Sequence, residues 1–145
     1  MDSLDKELYD ILGQCDELTS IIRVSAVLTL STPVTESEAN YIMEKLDSGR
    51  AELSSIYFQL SREVSRLESE VQKDYDSSYS RLVRLGRPSK DAIEAEIRNG
   101  NPKYVEVSCR IKSLEDVKEL ISMYMRSIDS KKTSVLEALR SIKRS

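Results

Sequence analysis

Apolar residues recur at alternating steps of three and four residues along the C-terminal third of the chain. The series begins just after Asn101-Pro102, and only Lys118 and Lys132 interrupt its apolar character. This spacing is typical of a helix that packs one face along a second helix. About 40 residues of helix extend roughly 60 Å, so the face requires a long partner helix, either in the same chain or in another copy of it. The positions are Tyr104, Val107, Ile111, Leu114, Lys118, Ile121, Met125, Ile128, Lys132, Val135, Leu139 and Ile142.

A second apolar series indicates another long helix in the middle of the chain. Thr35-Glu36-Ser37-Glu38 has the pattern of a capping box at its start. Gly86-Arg87-Pro88 ends the helix near Leu85, because glycine suits the C′ position and proline cannot continue a helix. A kink is expected at Ser48-Gly49. The apolar positions are Leu53, Ile56, Leu60, Val64, Leu67, Val71, Tyr75, Tyr79 and Leu82.

Shorter segments complete the expected organisation. Residues 2–14 have the spacing of a short amphipathic helix, and residues 90–98 are expected to form a short helix capped by Ser89. Residues 18–30 contain clustered β-branched side chains, which leaves a helix, a strand and an arm exchanged between subunits open. Residues 104–111 also alternate as a strand does, although the longer helical series favours a helix there.

The composition favours long helices. The 145 residues include only four Gly and three Pro, too few for the many turns of a β-sandwich or barrel. One Phe and no Trp leave few large apolar anchors for a compact core. We therefore expect an all-α, homo-oligomeric protein, an elongated hairpin or bundle of long helices with coiled-coil-like seams. Residues 1–34 are expected to form an N-terminal helical arm, and residues 35–145 the long-helix domain.

Missing residue types argue against several functional classes. Histidine is absent, which removes the commonest general base and metal ligand. No Gly-rich phosphate loop or nucleophile elbow occurs, so we expect neither catalytic residues nor a metal or cofactor. Cys15 and Cys109 lack metal-binding spacing. They are expected to be reduced thiols, which favours a cytoplasmic location, in the host cytoplasm if the protein is viral. No run approaches the roughly 18 apolar residues of a membrane span.

The charge is unevenly distributed along the chain. Although the net charge is −3, residues 81–110 contain seven basic and four acidic residues, and residues 126–145 contain six and two. Because local charge decides whether a polyanion binds, the first zone predicts a nucleic-acid site and the second a secondary basic patch. The candidate DNA-binding residues are Arg81, Arg84, Arg87, Lys90 and Arg98, and the secondary patch comprises Lys131, Lys132, Arg140, Lys143 and Arg144.

Each of these features also has a simpler structural interpretation. The cations of the first zone have neighbouring carboxylates such as Asp91 and Glu94 as ion-pair partners. Those near the C-terminus suit the end of a helix, where the dipole favours positive charge. The rings of Tyr75, Tyr79 and Tyr104 suit stacking on unpaired bases, but their places in the two apolar series favour burial. The sequence leaves these interpretations open.

One further pattern covers residues 35–145. The long middle helix passes into Ser80-Arg81-Leu82 and Gly86-Arg87, the short helix contains Ala95-Glu96-Ile97, and the last helix contains Ile128-Asp129-Ser130-Lys131-Lys132. In this order of features the chain resembles the UvsY-type recombination mediators of large tailed phages. The DNA-binding Lys-x-Arg motif of that family corresponds here to Tyr79-Ser80-Arg81, in which tyrosine replaces the lysine.

The resemblance implies a small helical protein that forms closed rings and binds single-stranded DNA. It also implies contact with the single-strand-binding protein that covers the strand, and help in loading the phage recombinase during DNA recombination and repair. We therefore expect a homo-oligomeric recombination mediator with these partners and without membrane association. The alternative is a purely structural coiled-coil scaffold or assembly adaptor that does not bind nucleic acid. A helical transcription regulator is less well supported, because no recognition-helix motif is present.

Overall fold

All regular structure in the described part of the chain is helical. A computed structural model describes residues 17–86, 89–100 and 102–144. Within these ranges there is no strand, and the helices are α1 (Glu17–Leu28), α2 (Glu36–Arg84), α3 (Lys90–Gly100) and α4 (Pro102–Arg144). The expected all-α class and the two long helices are confirmed. The helix expected over residues 2–14, together with Cys15, lies outside the described residues.

The helix ends follow the capping residues in the sequence. At the start of α2 the Thr35 hydroxyl accepts a hydrogen bond from the Glu38 amide at 3.1 Å. The Glu38 carboxylate accepts one from the Val34 amide at 3.0 Å, one residue earlier than in the standard capping box. Gly86 adopts a φ of 79° after α2, as expected at a C′ position. The Ser89 hydroxyl caps α3 by accepting from the Ala92 amide at 3.1 Å.

Two segments with ambiguous sequence patterns are helical. Most of residues 18–30 belongs to α1, and residues 104–111 lie inside α4, so the strand interpretation is wrong in both places. In α4 the apolar series continues on one helical face far beyond the local alternation. Packing of the whole helix therefore outweighs the β propensity of a few residues such as Val105.

The chain divides into two compact units. The first contains the described residues of Met1–Gln59 and Lys118–Ser145, and the second is Leu60–Val117. The divisions fall within α2 and α4, and α1 shares a unit with the first half of α2. In the second unit, Ile93 and Ile97 of α3 form a small core with Leu82 of α2.

In the first unit, α2 and α4 run antiparallel. Arg50 pairs with Asp129 at 2.7 Å and Glu36 with Lys143 at 3.9 Å, so residue numbers rise on one helix as they fall on the other. The hydrogen bond from Arg50 lowers the pKa of Asp129. Apolar side chains of both helices are fully buried in this unit. They are Leu46 and Leu53 of α2, and Ile121, Ile128 and Val135 of α4.

The apolar series of α4 is divided between the centre and the edge of its packed face. Every seventh residue, from Leu114 to Val135, is fully buried, and the alternate positions are half-buried. The two lysines occupy edge positions, where a long alkyl stem can be covered while the ammonium stays near the surface. Lys118 lies 5.1 Å above the Tyr57 ring, and Lys132 pairs with Asp47.

These side chains are buried within a single chain. The length of the apolar face therefore does not require a second copy of the chain. Homo-oligomerisation remains a prediction that the resemblance alone supports.

Gly49 of α2 faces Val24 of α1. The helix continues unbroken through this position, and a Cβ atom on Gly49 would lie 2.6 Å from Cγ2 of Val24, which is buried. Valine is stiff about χ1, so it cannot move aside without a backbone shift. Gly49 is therefore needed for the contact between the two helices.

Replacing Gly49 with alanine is expected to destabilise the protein. Overpacking typically costs about 1–3 kcal/mol, against a gain in helix propensity of roughly 1 kcal/mol. Urea unfolding followed by circular dichroism measures the balance. The double variant Gly49→Ala/Val24→Ala should be more stable than Val24→Ala alone, because the obstructing methyl group is gone. A single Gly49→Ala variant more stable than wild type would show that this contact is not tight.

Candidate nucleic-acid interface

Three cations share one face of the C-terminal part of α2. Arg81 and Arg84 lie in its last turn, and Lys73 precedes them by eight and eleven residues, which places all three on one side of the helix. These residues, called the cationic face below, line an open groove of about 610 Å³ together with Asp76, Ser77 and Ser80. The sequence prediction included both arginines but missed Lys73, although its helical spacing to Arg81 was a signal for it.

Four of the five predicted basic residues of this region lie among the described residues. Arg81, Arg84, Lys90 and Arg98 are exposed, and none forms an ion pair within the part of the chain that the structure describes. By contrast, Arg110 of the same unit pairs with a carboxylate at 3.2 Å. The expected alternative, local ion pairing, is therefore not seen for these four residues. Arg87 lies outside the described residues.

A second groove joins the cationic face to α3. It measures about 680 Å³, with Arg81 and Leu82 on the α2 side and Ile97 and Asn99 on the α3 side. Ser77 and Ser78 also line it, and hydroxyl groups are common donors to phosphate oxygens. The two grooves therefore offer both charged and neutral hydrogen-bond donors along the end of α2.

Acidic residues moderate the positive potential of both grooves. Asp76 lines the first groove, where it accepts a hydrogen bond from the Gln72 amide at 2.8 Å. Glu96 lines the second. Carboxylates beside cations weaken the attraction for an anion. We therefore expect the site to bind a polyanion only modestly.

Three tyrosines pack around the small core of the second unit. Tyr75, Tyr79 and Tyr104 are half-buried against that core. The ring centroids of Tyr75 and Tyr79 are 5.9 Å apart with an interplanar angle of 26°, and those of Tyr75 and Tyr104 are 6.4 Å apart with an angle of 36°. The burial that the apolar series favoured is thus partial for all three tyrosines.

Tyr75 is fixed by a hydrogen bond to α3. Its hydroxyl donates to the Glu94 carboxylate at 3.1 Å. Partial desolvation, with this hydrogen bond, raises the pKa of Tyr75, so the phenol remains protonated and keeps its role as a donor. The contact holds the ring of Tyr75 in one orientation and positions the Glu94 carboxylate next to it. Sequence spacing did not predict this pair, because it depends on how α3 folds back on α2.

The secondary basic patch is partly occupied by contacts within the first unit. Lys131 donates a hydrogen bond to the backbone carbonyl of Leu30, and Lys132 and Lys143 pair with carboxylates of α2. Arg140 and Arg144 are exposed. Three of the five predicted cations therefore help to hold the helices of this unit together, which makes the patch a weaker candidate than the cationic face.

Comparisons of the chain with protein-family models, with characterised proteins and with solved structures find no match. Among the described residues, no helix combines the length and apolarity needed to cross a membrane. Residues 17–86, 89–100 and 102–144 also contain no group of three or more metal-ligating side chains suited to an ion. The fold and the site thus define a helical protein with an exposed cationic face.

Proposed function

We propose that this protein binds single-stranded DNA through the cationic face. The main support is that Lys73, Arg81 and Arg84 lie on one side of α2 and line an open groove. None of the three has an ion-pair partner among the described residues. Guanidinium groups bind phosphate oxygens in a bidentate geometry. Neutralising phosphates also releases condensed counterions, which supplies most of the affinity in sequence-independent binding. Lys90 and Arg98 are further exposed cations in the same unit.

Two features favour a single strand over a duplex. A flexible single strand can bend to follow both grooves, whereas duplex DNA is stiff over about 150 base pairs. Partly accessible tyrosine rings lie in the same unit, and aromatic rings stack on bases that are not paired. Neither feature depends on a particular sequence, so we expect little sequence preference.

The resemblance to UvsY-type mediators adds a finer proposal. A homo-oligomer, such as a ring, would repeat the modest cationic face on each copy, and the contacts of one strand would combine into avidity. Such an assembly would help a recombinase to load on strands covered by a single-strand-binding protein. The alternative, a structural scaffold or assembly adaptor, uses the same helices without the cationic face.

Single-strand preference can be measured by fluorescence anisotropy. A labelled thymidine oligonucleotide should bind at low salt, and a duplex of equal length should bind more weakly. The logarithm of the association constant should fall linearly with the logarithm of salt concentration, with a slope of about −0.7 per neutralised phosphate. No binding at low salt would support the scaffold alternative. Tighter binding of the duplex would overturn the single-strand assignment.

A further inference from the structure

A small pocket lies beside the tyrosine cluster in the second unit. It measures about 260 Å³ and is formed by α2, α3 and the start of α4. This is just below the range of roughly 300–1,000 Å³ typical of pockets for drug-sized ligands, so it suits one small planar group. Its polar and aromatic lining residues are Gln72, Tyr75, Glu94, Arg98 and Tyr104.

We propose that this pocket, called the base pocket below, holds one unstacked nucleobase of the bound strand. The inference rests on the proposed function and deepens it, because it assigns contacts to the bases as well as to the phosphates. Tyr75 and Tyr104 supply the aromatic wall on which a base can stack. Their centroids are 6.4 Å apart and their planes are tilted by 36°, so the base stacks on one ring and is not inserted between the two.

The remaining lining groups match the chemistry of a nucleotide. One N–H of the Gln72 amide is already donated to Asp76, which leaves its second N–H to donate and its carbonyl oxygen to accept. The Glu94 carboxylate, held by the Tyr75 hydroxyl, also accepts hydrogen bonds. Unpaired bases present such donors and acceptors on their edges. Arg98 is exposed at the same pocket, where its guanidinium group suits either a phosphate or the face of a base.

The base pocket is also adjacent to the groove that contains Arg81. Ile97 lines both cavities, so a strand whose phosphates lie along the cationic face can place a nearby base beside the tyrosines. An aromatic side chain of a protein partner is the competing occupant. The cation and the two hydrogen-bonding groups around the rings favour a nucleotide, because such a side chain would leave most of them unused.

Comparing strands that have bases with strands that lack them distinguishes base contacts from phosphate contacts. A thymidine oligonucleotide and an abasic oligomer with the same number of phosphates are compared by anisotropy at matched salt. Stacking contributes about 1–3 kcal/mol per base, so wild type should bind the thymidine strand about 5- to 150-fold more tightly. Equal affinity for both strands, with normal salt dependence, would overturn the base pocket while leaving the cationic face intact. Absence of binding by either strand would instead reject the proposed function itself.

Two variants test whether the preference arises at this pocket. Tyr104→Leu removes one ring. Gln72→Leu changes an exposed side chain, and such substitutions usually have little effect on folding. Both should reduce the preference for the thymidine strand while keeping the salt slope. The matched controls Tyr124→Leu and Gln59→Leu change a half-buried tyrosine and an exposed glutamine of the first unit, and should retain the full preference. A preference that persists in both pocket variants would overturn the assignment.

Discussion

Replacing Ile121 with alanine is expected to lower the free energy of unfolding by about 2–5 kcal/mol, the usual effect of emptying a packed core site. Replacing its neighbour Leu120 with alanine should change that free energy by no more than about 0.5 kcal/mol. The two residues are adjacent on α4, yet Ile121 is 0% exposed and Leu120 is 47% exposed. The contrast arises because removing the Ile121 side chain leaves a cavity between α2 and α4, whereas removing that of Leu120 does not.

Chemical unfolding followed by circular dichroism measures both changes, and light scattering of the same samples gives the mass. If Ile121 is covered within one chain, the difference in stability between the variants should not depend on protein concentration. If copies of the chain covered it, dissociation would couple to unfolding and the difference would vary with concentration. Equal losses in the two variants would contradict the burial pattern of α4.

The apolar spacing predicted which face of each long helix is buried, but not what covers it. The hydrophobic effect is non-directional, so the series from Tyr104 to Ile142 suits a helix of the same chain as well as one from a copy. Which helix covers this face depends on contacts between residues far apart in sequence. The pair of Arg50 with Asp129 is one such contact, and only the folded structure shows it. Gly49 shows the same limit. The Ser48-Gly49 pair predicted a kink, whereas the role of Gly49 comes from Val24, on another helix.

The candidate site was predicted in part for a similar reason. Local charge identified Arg81 and Arg84, because both lie near a helix end with few acids close in sequence. It could not tell which cations already have partners, and Lys132 of the secondary patch pairs with Asp47 of α2. The base pocket was missed because Gln72 and Glu94 meet only when α3 folds against α2.

The double substitution Arg81→Ala/Arg84→Ala is expected to weaken single-strand binding about tenfold or more at low salt, since a hydrogen bond to a charged group contributes roughly 1.5–3 kcal/mol. Both side chains are exposed, and neither forms an ion pair within the part of the chain that the structure describes. The stability of the fold should therefore stay within about 0.5 kcal/mol of wild type. A change confined to binding would place these arginines at the interface.

Two matched variants separate position and geometry from net charge. Arg23→Ala/Arg126→Ala removes two exposed arginines of the first unit, and changes the net charge by the same amount. It should bind almost as wild type does. Arg81→Lys/Arg84→Lys keeps the charge but loses the bidentate geometry, and should bind with intermediate affinity.

The salt dependence of single-strand binding tests the role of the cationic face most directly. Each lost phosphate contact reduces the log–log slope by about 0.7. The line for Arg81→Ala/Arg84→Ala should therefore be shallower than that of wild type by about 1.4, with lower affinity at every low-salt point. Lines of equal slope and equal affinity, or the same loss in Arg23→Ala/Arg126→Ala, would contradict binding at this face.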